Sequence, residues 1–318
     1  MKDIGKSCRH LKDMRWDFRK IERIGKIVIV EMKKIYILID LLVILAVVFS
    51  GCIQEQQTIT TTESGKKQRE VIKSNISVGN TTKNTTIITL YDNYKYNPEL
   101  KTRWGFSCLV KINDKNILFD TGADSGTLLS NMEKMNIDVN GIDTIVLSHI
   151  HGDHVGGLDG ILEGNSNLTV YLPKSFPDSF KNKVRSSGVR MMEVKDSIEI
   201  YPGIYTTGEL GTWIKEQSLV IKTEKGLVVI SGCAHPGIVN IVREAKKLTN
   251  ERVYLVIGGF HLFSAEDSEL KRIVKNFREL GVEKVAPSHC SGDRTRELFE
   301  QEYGENFIEN GVGRVIEI

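Results

Sequence analysis

Short apolar runs alternate with amphipathic stretches from Ile87 to the end of the chain. Apolar runs of about four to eight residues bounded by Gly, Pro, Asn or Asp are typical of buried β-strands. Such runs predict strands at residues 87–91, 107–112, 116–120, 144–148, 168–172, 190–193, 204–207, 217–223, 226–231, 253–258, 284–287 and 313–318.

Apolar residues three and four positions apart predict helices among these strands. In one of them Leu270, Ile273, Val274 and Phe277 share a face. Many short strands with helices mixed in later favour an α/β fold, with two sheets whose outer faces are covered by helices. No repeat or linker divides residues 87–318, so we predict one domain there. The predicted helices are residues 127–135, 177–186, 237–248, 265–280 and 295–303.

The segment before this domain differs in composition. Residues 1–34 carry eleven Lys and Arg against five Asp and Glu, whereas the whole chain has a net charge of only +2. From Met32, two lysines, an apolar run over residues 35–49 and a Ser-Gly-Cys triplet ending at Cys52 have the layout of a secretory signal. The basic excess therefore belongs to a targeting segment.

Residues 32–52 are predicted to tether the protein to the cell membrane, with its body outside the cytoplasm. A signal peptide with a lipobox-like end at Cys52 and an uncleaved membrane anchor would both do this, and both alternatives stay open. Residues 1–31 make an odd leader for such a signal and are predicted to be an over-extended reading frame. Residues 53–86 are predicted to be a disordered polar spacer, because they hold almost no apolar side chains.

Three histidines and an aspartate crowd into residues 148–157, Ser-His-Ile-His-Gly-Asp-His-Val-Gly-Gly. Side chains two apart on an extended segment point the same way, so His149 and His151 can bind one ion together. The glycine that follows permits a turn, which lets Asp153 and His154 face a second ion. Imidazole with carboxylate suits zinc, manganese or iron better than calcium. We therefore predict a site for one or two divalent ions.

The other histidines beyond residue 10 each lie at the end of a predicted strand or in a turn. Two ions need more ligands than the first run offers, so His235 and His289 are predicted to complete the metal site. His261 is predicted to be a substrate-facing acid or base, or an extra ligand. Cys233 is either a thiolate ligand or a small buried residue in a tight turn.

The His-x-His-x-Asp-His run resembles the hallmark of the metallo-β-lactamase superfamily. The resemblance implies a four-layer αββα sandwich with the site along one edge of the two sheets. It also implies that His149 and His151 bind one metal, and that Asp153 and His154 bind the second. Asp120, in Leu-Phe-Asp-Thr-Gly, would support this metal loop from behind.

Within that superfamily the chain resembles a subgroup typified by an archaeal pterin-type phosphate synthase, called dihydropteroate-synthase-like. It departs from most superfamily hydrolases where they carry a bridging aspartate, because Ser-Gly-Cys stands there and His235 or Cys233 must substitute. Six motifs carry the subgroup resemblance: Trp104-Gly105-Phe106-Ser107, Leu118-Phe119-Asp120-Thr121-Gly122, residues 148–157, Gly232-Cys233-Ala234-His235-Pro236-Gly237, Gly258-Gly259-Phe260-His261-Leu262 and Ser288-His289-Cys290.

Metal-assisted hydrolysis is the chemistry common to such sites, with Asp153 and His261 as predicted catalytic residues. The first hypothesis is a membrane-tethered metallohydrolase acting on a small ester, amide or phosphate compound. The second, which the resemblance implies, is a synthase that joins a dihydropterin methyl diphosphate to an arylamine and releases diphosphate. The third is a non-enzymatic metal-binding lipoprotein. No basic groove indicates a nucleic-acid partner, and five cysteines without a CxxC pair do not predict a disulfide framework.

Overall fold

The computed structural model describes residues 85–318. The predicted signal or anchor at residues 32–52, the over-extended frame before it and the spacer up to residue 84 lie outside the described residues. Within the described part of the chain, no helix combines the length and apolar character needed to cross a bilayer.

Among residues 85–318, thirteen strands form two sheets, and their bounds follow the apolar runs closely. They are β1 (Thr85–Tyr91), β2 (Ser107–Ile112), β3 (Lys115–Phe119), β4 (Thr144–Val146), β5 (Thr169–Pro173), β6 (Arg190–Val194), β7 (Ile198–Tyr201), β8 (Ile204–Thr206), β9 (Leu219–Thr223), β10 (Gly226–Ser231), β11 (Val253–Gly259), β12 (Lys284–Ser288) and β13 (Val315–Glu317).

The first sheet has the strand order β13-β1-β2-β3-β4-β5-β6 and the second has the order β12-β11-β10-β9-β8-β7. Both sheets are mixed: β3 to β6 run parallel, as do β10 to β12, and the remaining neighbours are antiparallel. Carboxyl ends of parallel strands meet at one edge of a sheet, where sites commonly form. Loops after β3, β4, β10, β11 and β12 carry the histidines, Asp120, Asp153 and two cysteines to that edge.

Seven α-helices accompany the sheets within the described residues. They are α1 (Ser125–Lys134), α2 (Gly152–Val155), α3 (Leu158–Gly164), α4 (Asp178–Ser186), α5 (Ile238–Thr249), α6 (Asp267–Glu279) and α7 (Asp293–Tyr303). Three short 3₁₀ turns lie at Val139–Gly141, His289–Ser291 and Gly304–Asn306.

Strand β10 shows why the layers stack as they do. Val228 and Ile230 belong to the core between the two sheets, whereas Leu227 and Val229 pack among helices α5 to α7 on the outer face. Successive side chains of a strand point to opposite faces, so a strand buried on both faces reads as a continuous apolar run. A third apolar cluster, which includes Leu128 of α1, covers the outer face of the first sheet. The predicted arrangement of two sheets between helices is therefore confirmed.

The elements that the sequence pattern missed are short. Helices α2 and α3 lie in a glycine-rich stretch, where helix propensity is low. Strand β7 pairs only with β8 at the edge of its sheet, so tertiary pairing and not a long apolar run defines it. The predicted strands and helices are all present, with bounds that shift by at most two residues.

Phe277 of α6 tests this outer layer, because its ring is fully buried and meets Phe260 and Phe299 with ring centroids 5.9 and 5.6 Å away. Phe277→Ala should lower the free energy of unfolding by about 3–5 kcal/mol through lost contacts and a residual cavity. Chemical denaturation measures the change. Lys275→Ala, at an exposed position of the same helix, is the control and should change it by less than about 0.5 kcal/mol.

Candidate metal centre

Asp120 positions the histidine-rich loop, residues 148–157, through hydrogen bonds of its carboxylate. It directly follows β3, is fully buried and adopts a left-handed backbone with φ of 56°. Its Oδ1 accepts the backbone N–H of Ser148 at 2.7 Å, and its Oδ2 accepts the Ser148 hydroxyl and Nδ1 of His154, each at 2.7 Å. A charged carboxylate tolerates such burial only when its oxygens are paired. Asp120 therefore fixes both the start of the loop and the imidazole near its end.

The same network sets which nitrogen of each imidazole is free. The only hydroxyl proton of Ser148 goes to Asp120, so Ser148 Oγ accepts a hydrogen bond from Nδ1 of His149 at 2.9 Å. Likewise Nδ1 of His289 donates to Oδ1 of Asn93 at 3.0 Å. With Nδ1 engaged, each ring turns Nε2 toward the cluster. Such partners orient metal-binding histidines in general.

The first group of potential ligands consists of His149, His151 and His235. Nε2 of His149 and Nε2 of His235 approach Nδ1 of His151 to 3.1 and 3.2 Å. Burial and neighbouring histidines lower the pKa of His149 well below its usual value and lower that of His235 to about 4. These imidazoles are therefore neutral at physiological pH, which is the form that binds a metal.

The second group consists of Asp153, His154 and His289. Oδ2 of Asp153 lies 3.7 Å from Nε2 of His154 and 3.3 Å from Nε2 of His289. Burial opposes ionisation of Asp153, but the His289 and His154 rings outweigh it and lower its pKa. Nε2 of His289 is buried, and its 3.3 Å approach to Oδ2 of Asp153 does not have the geometry of a hydrogen bond. A buried lone pair without a partner is costly, so this atom fits the role of a ligand to a cation.

His154 contacts the supporting carboxylate of Asp120 through one ring nitrogen and the ligand cluster through the other. Burial lowers its pKa, but the Asp120 carboxylate raises it more strongly, to about 9. Its Nε2 therefore carries a proton toward Sγ of Cys233, 3.2 Å away. Binding of a cation there would release that proton, as is usual for metal sites.

Cys233 lies where the two groups meet. Its Sγ belongs to the set Asp153, His154, His289 and also to the set His149, His235, with the ligand atoms of each set within 4.8 Å of one another. Of the two substitutes predicted for the bridging aspartate, Cys233 occupies the shared position and His235 lies in the first group. The other interpretation of Cys233, a small buried residue in a tight turn, does not account for the position of its Sγ between the two groups.

Glu216 holds the loop that presents Cys233 and His235, and the sequence pattern did not single it out. Its carboxylate is buried and accepts four backbone N–H groups, from Gly232, Cys233, Ala234 and His235, at 2.8–3.1 Å. Burial raises the pKa of Glu216 to about 7, while these N–H groups favour its charged form. A single side chain thus replaces the strand pairing that this loop lacks.

Close approach also requires a glycine at position 232. A Cβ there would lie 2.1 Å from Oγ of Ser148 and 3.0 Å from Oδ2 of Asp120. Any side chain at this position would push the Cys233 loop away from the histidine-rich loop. Gly232 therefore lets loops from the two sheets meet.

Backbone strain is concentrated at this centre. Within residues 85–318, the left-handed residues other than Gly and Asn are Asp120, Ala234, His261 and His289. For such residues this conformation costs roughly 1–2 kcal/mol each. It persists because side-chain and backbone hydrogen bonds over-determine it, as is common at functional sites.

His261 lies on the open side of the cluster. It is exposed, its ring centroid lies 4.4 Å from that of His235, and its potential ligand atom lies within 4.8 Å of Sγ of Cys233 and Cys290. The buried Cys290 sulfur, as acceptor of a hydrogen bond from the His261 ring, is the main cause that raises the pKa of His261. This position is compatible with both predicted roles, a proton-transferring group and an extra ligand.

Two exposed aromatic rings flank the cluster. Trp104 is 53% exposed and its ring centroid lies 4.9 Å from that of His289. Phe263 is 59% exposed and lies 5.6 Å from His261. Large exposed aromatic side chains beside a polar site commonly mark a binding surface. The two rings contact different members of the histidine cluster, His289 and His261.

The structure thus brings all six predicted metal ligands and His261 into one cluster. Sequence reasoning missed Glu216, Asn93 and the Cys290 thiol near His261. Glu216 and Asn93 act through contacts 16 or more residues away in sequence, so no local spacing marked them. Cys290 stands beside His289 in a quoted motif, and that adjacency was the only available signal.

Comparison with known proteins agrees with this geometry. A family model described as the metallo-β-lactamase superfamily matches residues 105–247. The chain is 34% identical to the 7,8-dihydropterin-6-methyl-4-(β-D-ribofuranosyl)-aminobenzene-5'-phosphate synthase of Methanocaldococcus jannaschii, over 73% of this chain and 96% of that protein.

Solved structures give the same picture. The crystal structure of Tm1679, described as a metal-dependent hydrolase of the β-lactamase superfamily, matches with a TM-score of 0.63 and 32% identity, covering 74% of this chain and 99% of that one. The metallo-β-lactamase fold protein YhfI from Bacillus subtilis matches with a TM-score of 0.56 at 14% identity, over 74% of this chain and 99% of that one, which shows likeness of fold alone.

Glu216→Gln tests the support of the Cys233 loop. The amide NH₂ cannot accept a hydrogen bond from a backbone N–H, so at least one of the four donors loses its partner. The free energy of unfolding should therefore fall by about 1–3 kcal/mol. Metal retained after dialysis should fall as well, because Cys233 and His235 lose their orientation. Glu224→Gln, at an exposed turn, is the matched control. Wild-type stability and metal content in Glu216→Gln would show that this carboxylate does not hold the loop.

Cys233→Ala tests the shared position. We expect metal affinity, measured by competition with a chromogenic chelator, to fall about tenfold or more, because even the loss of a group that only supports a ligand costs about 10–100-fold. Cys108→Ala removes a buried thiol in β2 that belongs to none of the potential ligand groups, and should leave affinity unchanged. If Cys233→Ala binds metal as tightly as the wild type, the thiol is not a ligand.

Proposed function

This chain belongs to the metallo-β-lactamase superfamily, and on that premise we propose that it is a metal-dependent synthase for a pterin-type substrate. In the proposed reaction an arylamine displaces diphosphate from a dihydropterin methyl diphosphate. The observation that carries the proposal is the likeness to the archaeal synthase at 34% identity across 96% of that protein's length. This was the second hypothesis from the sequence, and the likeness over 96% of the synthase's length is why we now prefer it.

The residues of the cluster fit a pair of divalent ions, for which zinc is our proposal. His149, His151 and His235 would hold one ion, Asp153, His154 and His289 would hold the other, and Cys233 would serve both. Imidazole and thiolate donors favour zinc or iron over magnesium, calcium or manganese. Bound there, such ions supply Lewis acidity that stabilises charge on phosphate oxygens.

The aromatic rings at the mouth support planar reactants. Trp104 beside His289 and Phe263 beside His261 offer two exposed faces on either side of the cluster. Stacking of this kind contributes about 0.5–1.5 kcal/mol for each ring pair beyond the apolar area it buries. A pterin and an arylamine are both planar, whereas a small aliphatic ester would leave these rings unused.

The proposed reaction requires one proton transfer. A bond forms between the amine nitrogen and the pterin methylene carbon, the carbon–oxygen bond to diphosphate breaks, and the amine loses a proton. His261 is exposed at the cleft and can accept this proton at the ring nitrogen that does not face Cys290. We propose this as the role of His261. Asp153 would then act chiefly by orienting His154 and His289 and by binding metal.

Hydrolysis is the second candidate, and the likeness to Tm1679, described as a metal-dependent hydrolase, favours it. The same cluster would serve, with water in place of the amine. The tether predicted from residues 32–52 stays a prediction, and it also favours this candidate, because a diphosphate made in the cytoplasm would not reach an exported enzyme. A cavity lined by His235 and His261 favours either enzyme over a metal-binding lipoprotein.

Incubation of the metal-loaded protein with dihydropterin methyl diphosphate, with and without an arylamine, separates the candidates. We expect coupled product and diphosphate only when the amine is present, measured by chromatography. Trp104→Ala should raise KM for the pterin about two- to tenfold through lost stacking. Met192→Ala removes an exposed side chain on strand β6 and should have no effect.

Diphosphate release at the same rate without the amine would identify a hydrolase. Absence of turnover on this pair and on a panel of esters, amides and phosphate compounds, with tight stoichiometric metal, would favour the non-enzymatic alternative.

A further inference from the structure

A cavity of about 320 Å³ opens beside the metal cluster between helices α5 and α6. His235 and His261 line it together with Arg243 of α5 and Arg272 of α6. Its volume is near the lower end of the usual range for ligand sites, so it suits one arm of a substrate. It therefore offers a place for a part of the substrate that does not react.

Arg243 is held in this cavity by neutral groups. Its Nη1 donates to Oδ1 of Asn240 at 3.3 Å and its Nη2 donates to Oδ1 of Asn276 at 2.9 Å. Both amides are themselves oriented, because their Nδ2 groups donate to the backbone oxygens of Pro236 and Arg272. The guanidinium is thus positioned from two helices without losing its charge.

The charges of the two arginines are balanced differently. Arg272 forms an ion pair with Oε1 of Glu269 at 3.3 Å. No carboxylate among residues 85–318 forms an ion pair with Arg243. Within those residues the guanidinium of Arg243 makes hydrogen bonds only to Asn240 and Asn276. A guanidinium carries five N–H donors in a planar fork that matches phosphate oxygens. Arg243 is accordingly the group in this cavity suited to an anion.

We propose that the cavity is a phosphate subsite, in which Arg243 binds a phosphate group of the substrate remote from the reacting atoms. This inference rests on the proposed function and names the part of the arylamine that the site recognises, a phosphate ester on its sugar. Charge-assisted hydrogen bonds from an arginine are strong. Because Asn240 and Asn276 already orient Arg243, little side-chain entropy is lost on binding.

Calorimetric titration of the metal-loaded full chain tests the subsite with two probes, 4-(β-D-ribofuranosyl)aminobenzene 5'-phosphate and the same compound without its phosphate. The pterin is omitted, so that binding is measured without turnover. The wild type should bind the phosphorylated probe about tenfold more tightly or better. Arg243→Met should reduce this preference to about twofold or less, and Arg243→Lys, which keeps the charge but loses the fork, should fall between.

The double variant Arg272→Met, Glu269→Gln is the matched control, since it removes the ion pair that lines the same cavity and leaves no unpaired carboxylate there. It should keep the preference. Thermal unfolding checks that each variant is folded, which is expected because both arginines and Glu269 are exposed. The subsite is wrong if Arg243→Met keeps the preference, if the double variant loses as much, or if neither probe binds.

Turnover, measured separately, distinguishes failure of the subsite from failure of the reaction. A preference that depends on Arg243, without coupled product, supports the subsite and overturns the synthase. Coupled product with equal KM for both amines overturns the subsite and leaves the synthase standing.

Discussion

The hydrogen bonds of the buried Asp120 carboxylate connect the first sheet to the histidines of the candidate metal centre. Asp120 directly follows strand β3. Its carboxylate accepts hydrogen bonds from the backbone N–H and the hydroxyl of Ser148 and from Nδ1 of His154. Through Ser148 it also determines which nitrogen of His149 is free. With Nδ1 held, His154 turns Nε2 to Cys233, which comes from the second sheet. One satisfied carboxylate therefore positions two imidazoles and the contact that joins the two halves of the centre.

Glu216 plays the corresponding part in the second sheet. Its carboxylate gathers four consecutive N–H groups and so shapes the loop after β10 without any strand partner. Left-handed residues at Ala234, His261 and His289 show that the loops on this edge are strained. The two packed sheets and their helices supply the stability that offsets this strain.

The reaction that metal ions bound at this centre would support depends on which substrate reaches them. The same ligand set can serve water as nucleophile or an amine as nucleophile, and the fold alone does not choose between them. The choice lies in the surroundings: Trp104 and Phe263 at the mouth, and Arg243 with its two asparagines in the adjoining cavity. In the proposed function, these features would bind a substrate that is planar at one end and anionic at the other.

The sequence by itself determined the layers and the first ligands. Runs such as Val228–Ile230 and the stripe from Leu270 to Phe277 place strands and helices, because burial on one or both faces leaves a local periodic trace. His149, His151, Asp153 and His154 were recognisable because they are neighbours in sequence. Only the tertiary structure decided that Cys233 lies between the two ligand groups, that Glu216 supports it and that Asn276 orients Arg243. These contacts join residues 16 to 79 positions apart, and their geometry is set by how the sheets and helices pack, which no local pattern records.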